Sequence, residues 1–337
     1  MKVKTWLLQE IVSRLHIPDT RVIVGPRVGE DAAVIDIQGL KYLITHTDPI
    51  TGASEYLGWL SIVVPSNDVA VQGGAPRWCE VTLLLPEGFP DSELRKIVEQ
   101  MREACLEIGV SIIGGHTEYT PGLSMPITVT TCMGVSDRYV STSGARPGDL
   151  VVIAKSPALE AALVAVSDFR KVLEERKVPD KVIKTVLEYR KEICLVREAL
   201  AVRDLVTSMH DPTEGGIVQA LLEIAQASGT AVELWLNRVP IRPEVKTVLE
   251  TLNINPLKAL SSGTLLCTVD PENVDQVVKR LSRLCREVAI IGRVVEKTQR
   301  PHVRILEHEN GREIETVTEQ VDDEVMLLWS RVRSTSV

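Results

Sequence analysis

The chain has 337 residues, 44% of them apolar and 25% charged, with a formal charge of −8. Such a length and composition suit two ordinary globular domains with their own cores, and exclude a disordered tail or a one-core miniature. No run of Lys and Arg is dense enough to track a phosphate backbone, so nucleic acid and anionic membrane are poor partners.

The amino end, MKVKTWLLQEIVSRLHIP, reads as a short amphipathic helix rather than a signal peptide, because charges interrupt its apolar run and Pro18 follows it. Apolar stretches such as Leu60 to Val64 fall far short of the roughly 20 residues that span a bilayer, so a cytoplasmic protein is expected. AAVIDI and YLITHTD alternate apolar and polar residues around QGLK, which predicts a hairpin over 32–48. Residues 56–74 predict a buried helix with an irregular middle at Pro65. WCEVTLLLP is a strand, and 91–109 a helix with Asp91 as N-cap and Gly109 as its stop.

Next, IIGGHTEY predicts a strand running into a Gly114–Gly115 turn, and PITVTTCMGV another strand. The loop-like STSGARPGD marks a domain boundary near Arg146, dividing the chain into 1–146 and 147–337. Beyond it a strand LVVIAK, helices over about 158–173, 180–190 and 192–206, the turn TSMHDPTEGG and a helix to Ser228 are expected. A strand AVELWL, a helix from Pro243, a strand TLLCTVD, a helix over about 272–285 and a strand VAIIGRVVE complete the pattern, which alternates strands and helices. The six cysteines are scattered with no CxxC pair and read as reduced core residues.

Three acidic motifs lie among apolar residues in the first 70 positions: Glu30 and Asp31 in GEDAAVID, Asp48 in ITHTDPI, and Asn67 with Asp68 in VPSNDVAVQGG. Carboxylates converging at strand and helix ends are what a magnesium ion on a polyphosphate requires. Taken singly, the same residues also serve as turn and cap residues. Gly114 and Gly115 would let a backbone approach a ligand closely, or make a plain tight turn. His116 and Glu118 beside them are further candidates as ligands or proton carriers. Asp211, Thr213, Gly215 and Gly216 open a regular helix, a start suited to an anion or simply well capped. The chain has neither GxxxxGK[ST] nor GxGxxG, which disfavours P-loop and dinucleotide-binding enzymes.

Taken in order, GEDAAVI, HTD, SNDVAVQGGAP, GGHTE, HDPTEGG and SSGTLL resemble the aminoimidazole ribonucleotide (AIR) synthase superfamily, across both halves of the chain. MHDPTEGGIVQALLEIA and SSGTLL look most like the branch of the hydrogenase maturation protein HypE and its archaeal relatives. The resemblance implies an α+β protein of two α/β domains, the first forming a β-barrel across a homodimer. It implies ATP and Mg2+, with Asp31, Asp48 and Asp68 as metal ligands, Thr47, Asn67, Gly114 and Gly115 at the nucleotide, and Asp211, Thr213, Gly215 and Gly216 facing the acceptor. Glu30 stands where that pattern has a first aspartate, and His116 where many members have an aspartate after the glycines, leaving Glu30, His116 and Glu118 as subsidiary metal candidates. Lys155, Ser156 and Pro157 replace a glycine-rich turn.

HypE proper carries its carbamoyl group on a terminal cysteine, whereas this chain ends LLWSRVRSTSV and its last cysteine is Cys285. The expected activity is therefore ATP-dependent phosphorylation of an oxygen on a small or protein-borne acceptor, in hydrogenase or metallocofactor maturation. Two other readings are a small-molecule kinase like thiamine-monophosphate kinase and a non-catalytic nucleotide-binding scaffold dimer.

Overall fold

Period-two alternation builds the first half of the chain. The computed structural model describes residues 21–24, 29–30, 32–37, 42–51 and 55–334. The expected amino-terminal helix, Asp31, the hairpin turn at 38–41 and residues 335–337 lie outside the described residues. Strands β1 (Val22–Val24), β2 (Ala33–Asp36), β3 (Tyr42–Ile50), β4 (Ala75–Leu85), β5 (Ser111–Tyr119) and β6 (Ile127–Ser136) form a six-stranded sheet in the order β1-β2-β3-β6-β4-β5. β2 and β3 pair antiparallel as the hairpin reading requires. β4 and β5 are parallel neighbours.

Helix α1 (Leu57–Val71) lies against β3 and β6 with all fifteen of its residues buried. A helix apolar around most of its circumference must be covered on every side. That cover also explains a difference from the sequence reading, because the helix runs unbroken through Pro65. The Ser61 and Ser66 hydroxyls donate to the Gly58 and Ile62 carbonyls at 2.8 and 2.6 Å, local bonds that accompany the residues around the proline. Helix α2 (Asp91–Ile108) buries one stripe, Ile97, Gln100, Met101 and Ala104. Asp91 is its first helical residue rather than its N-cap, a place held by Pro90, and Gly109 ends it at φ +82°.

Gly114 and Gly115 do not form a turn; they lie inside β5. The register slips past Ile113, and Gly115, at φ +149°, passes so close to β4 that a Cβ there would stand 2.0 Å from the Val81 carbonyl oxygen. Gly115 is thus needed for the parallel pairing itself.

The second half is a seven-stranded sheet, β13-β12-β9-β11-β7-β10-β8. Its strands are β7 (Leu150–Ala154), β8 (Ser208–His210), β9 (Thr230–Trp235), β10 (Leu265–Val269), β11 (Val288–Lys297), β12 (His302–Leu306) and β13 (Glu313–Val317). Among the described pairs of this second sheet only β9 and β12 run parallel. Helices α3 (Leu159–Asp168) and α4 (Arg170–Glu175) replace the single helix expected over 158–173, and α5 (Asp180–Glu188) and α6 (Val196–Val202) follow. Then come α7 (Gly216–Ser228), α8 (Pro243–Thr251), α9 (Val274–Leu281) and α10 (Glu324–Ser334). α7 packs its Ile217, Leu221 and Ile224 with Val232, Ile291 and Val303 of the sheet. α6 and α9 share another core with Val152 and Cys267.

The halves meet around residues 189–196. Asn67 of α1 donates from Nδ2 to the Ile193 carbonyl at 3.0 Å and accepts at Oδ1 from the Leu195 amide at 2.9 Å. From the other side Lys155 donates to the Glu192 and Cys194 carbonyls at 2.9 and 2.6 Å and pairs with Glu198 at 3.2 Å. Lys155 itself sits at φ +68°, a costly conformation for a non-glycine residue. Arg190 stacks over the Trp59 ring at 4.7 Å, adding a cation–π contact between the halves.

Removing the Asn67 carboxamide orphans a buried backbone donor and a buried acceptor, each worth about 1–3 kcal/mol. Asn67→Ala is therefore expected to lower stability by roughly 2–4 kcal/mol, read as a fall in the urea midpoint. A midpoint within error of the parent would show that the clamp contributes nothing.

Candidate functional site

Along β3 the side chains of Ile44, His46, Asp48 and Ile50 share the face that meets α1, because alternate residues of a strand point the same way. Ile44 is fully buried, while His46 and Asp48 are half-buried. Asp68 reaches the same place from the last turn of α1, with a side chain only 7% exposed, and its Oδ2 stands 3.3 Å from His46 Nε2. Each of His46, Asp48 and Asp68 offers one ligand atom, and these atoms all lie within 4.8 Å of one another. Ligands of a common cation at roughly 2.0–2.6 Å stand roughly 3–5 Å apart, so the donor set fits a divalent ion.

Two of the anticipated carboxylates are thus brought together, and His46 joins them although the sequence reading did not single it out. The available signal was its place two residues before Asp48 in a period-two strand. Glu30 is not part of the cluster; its carboxylate accepts from the Ser141 hydroxyl at 2.7 Å and the Thr142 amide at 3.3 Å, fixing the link between the halves. Thr47 points to the opposite face of the sheet, where its hydroxyl meets that of Thr131 at 2.9 Å. Asn67 faces the second half, as described above. Across the sheet Asp48 is in register with Thr130, Val81 and Gly115, so Gly115 lies three strands, or roughly 14 Å, away. His116 and Glu118, further along that edge strand, are exposed and bind each other at 3.2 Å, outside the cluster within one chain.

The turn Asp211–Gly216 is tied into its own domain. Asp211 is buried and accepts from the Gly263 amide at 3.0 Å. The Gly215 amide, at the start of α7, donates to Asp323 Oδ2 at 3.0 Å, and the Gly216 amide to the Thr213 carbonyl at 3.1 Å. The other Asp323 oxygen accepts the Val325 and Met326 amides at the start of α10. A carboxylate of this chain therefore serves the helix start expected to receive an anion. Nearby, Glu160 of α3 is buried and accepts from the Ser262 amide at 3.2 Å. Burial pushes its carboxyl up to about 7 against the pull of the Ser262 hydrogen bonds, while Asp323 and Glu214 add negative charge that raises it further.

With this fold and site in place, comparison with known proteins defines the class. Residues 29–136 match the AIR synthase related protein, N-terminal domain, and residues 146–304 the AIR synthase related protein, C-terminal domain. The chain belongs to the AIR synthase related family. The carbamoyl dehydratase HypE of Cupriavidus necator is 32% identical over 282 residues, spanning 80% of this chain and 78% of that protein. The HypE of Rhizobium leguminosarum bv. viciae is 29% identical over 290 residues, with the same coverage of 80% and 78%. A crystal structure of the hydrogenase maturation protein HypE in complex with ATP shares the fold at a TM-score of 0.66 and 24% identity, covering 88% of this chain and 91% of that one. Among the described residues no helix is long and apolar enough to cross a membrane.

The raised Glu160 carboxyl has a consequence for stability. A native pKa above the ordinary 4.5 means that the folded state holds a proton which the unfolded chain has released. Its stabilising contribution is complete below about pH 4.5 and is lost as pH rises through about 7, a change of order 3 kcal/mol. Glu160→Gln, uncharged at every pH, is expected to gain in melting temperature relative to the parent between pH 5 and pH 8. A constant gap over that range would place the Glu160 carboxyl in the ordinary range.

Proposed function

We propose that this protein is an ATP-dependent, divalent-metal-dependent enzyme of the HypE-like branch, which phosphorylates and so activates an oxygen on a small or protein-borne acceptor during hydrogenase or metallocofactor maturation. The observation that carries this reading is the convergence of Asp48 and Asp68, with His46, from β3 and α1. It stands in a chain whose HypE relatives are named carbamoyl dehydratases and whose fold accommodates ATP in a solved HypE.

The bound cation would neutralise charge on the β- and γ-phosphates. Asp48 and Asp68 would hold it, their placement fixed because β3 is paired to β6 along its whole length, Asp48 opposite Thr130, and α1 is buried throughout. Phosphoryl transfer of this kind is positioning and charge stabilisation, with no covalent step for the protein. The acceptor would approach from the second domain, whose Asp211–Gly216 turn is braced by Gly263 and Asp323.

The activated group is proposed to arrive on another molecule rather than on the thiol of Cys194, Cys267 or Cys285. Burial pushes Cys267 up to about 12, and Cys194 and Cys285 to about 11, far from the thiolate a carrier needs. Cys285 also donates to the Leu281 and Glu287 carbonyls at 3.4 and 3.6 Å.

A homodimer is part of the proposal. The edge strand β5 exposes Ile112, Ile113 and Tyr119, and β4 exposes Trp78 beside it, a surface that a second copy would cover by extending the sheet. Light scattering at micromolar concentration should give twice the chain mass; a monomer mass would contradict this pairing.

Calorimetry with ATP should show binding that depends on the divalent ion, and Asp68→Asn should weaken it at least about tenfold, since it deletes a charge facing the cation. Equal binding with and without the ion, or an unchanged variant, would sink the reading.

A further inference from the structure

We infer that His46 is a nitrogen ligand in this centre and that it biases the site toward first-row transition dications over magnesium. The inference deepens the reading that Asp48 and Asp68 hold a divalent ion, and it rests on that reading.

The first ground is geometric. His46 and Asp48 project from the same face of β3, and Nε2 lies 3.3 Å from Asp68 Oδ2. That is the spacing of adjacent ligands about one ion rather than of groups on opposite sides of it. The neighbouring residue Thr47 is directed to the other face, so the strand selects the imidazole for this position.

The second ground is electrostatic. Asp68 lies in the last turn of α1, where the helix dipole is negative, and that turn holds no basic residue. Asp48 adds a second carboxylate within 4.8 Å. Two carboxylates at a negative helix end favour a cation strongly. An imidazole nitrogen bound to the cation would add a lone pair without adding a third negative charge.

The third ground is the chemistry of the donors. Magnesium takes hard oxygen ligands in near-ideal octahedral geometry and gives up water reluctantly. Imidazole suits iron, nickel, copper and zinc, and affinity at a given site of nitrogen and oxygen donors rises from manganese as far as copper. One imidazole and two carboxylates would thus discriminate between dications while leaving positions for phosphate oxygens. If His46 serves only as a counter-charge for Asp68, it favours no cation over another.

The test uses the full chain without nucleotide, titrated calorimetrically with Mg2+ and with Mn2+. The parent should bind Mn2+ at least about tenfold more tightly than Mg2+. His46→Gln should lose at least about tenfold in Mn2+ affinity and change Mg2+ affinity much less. His46→Asp, which restores an oxygen ligand, should narrow or reverse the preference. Pulsed electron paramagnetic resonance of the Mn2+-loaded parent should show nitrogen coupling from a directly bound imidazole, and His46→Gln should not. Equal parent affinities, an equal loss of both metals in His46→Gln, or the absence of nitrogen coupling would overturn the inference and leave the metal-nucleotide reading standing. A parent that binds neither ion, alone or with ATP, would overturn both.

Discussion

The Asn67 carboxamide has one end on the Ile193 carbonyl and the other on the Leu195 amide, and this pair of hydrogen bonds across the domains fixes where α1 lies. Successive residues on a helix are about 100° apart, so a helix held by Asn67 toward the second domain must turn Asp68 toward the first sheet. There Asp68 meets His46 and Asp48. The two neighbouring polar residues therefore divide the work of one helix: the first joins the domains, the second meets the His46 and Asp48 side chains of β3. Burial of every residue of α1 makes the arrangement stiff, since no face is left to solvent along which it could slide.

The segment that Asn67 grips is anchored from its other side by charge. Arg242 is buried, stacks over the Tyr189 ring at 4.7 Å and forms paired hydrogen bonds to Glu192 and Glu287. Lys155 and Glu198 form a second buried pair next to it. Such pairs add little net stability once desolvation is counted, but breaking one leaves an uncompensated charge. Their effect here is geometric, holding residues 189–196 in a single path between the sheets. The same path brings Ile193 so close to Gly263 that a Cβ there would stand 2.4 Å from the Ile193 Cα, and Gly263 in turn donates to Asp211. A contiguous run of contacts thus joins α1 to the Asp211 turn.

Much of this was legible in the sequence where one local period dominated. The β2–β3 hairpin, β4, α2, α7 and the two-domain α/β class follow from alternation, apolar stripes and glycine stops. What escaped was set by distant contacts. The need for Gly115 comes from the Val81 carbonyl of a neighbouring strand, which nothing in IIGGHTEY discloses. Nothing local to Asn67 reveals that Ile193 and Leu195 engage its carboxamide. The companion of His46, Asp68, lies on a different element, beyond any ligand spacing visible in a strand. β12, β13 and α10 went unpredicted. β13, EIETV, is exposed over four of its five residues, so it carries almost no apolar signal.

One carboxylate, Asp323, meets the amide at the start of α7 with one oxygen and two amides at the start of α10 with the other. The turn that opens α7 and the carboxyl-terminal helix are thereby made a single unit, though more than a hundred residues of chain separate them. Shortening or neutralising that side chain strips both helix starts at once. The two segments should therefore covary: a substitution in the turn that moves the Gly215 amide is tolerated only alongside a matching change before α10, and a graft of either segment alone from a relative should fold poorly.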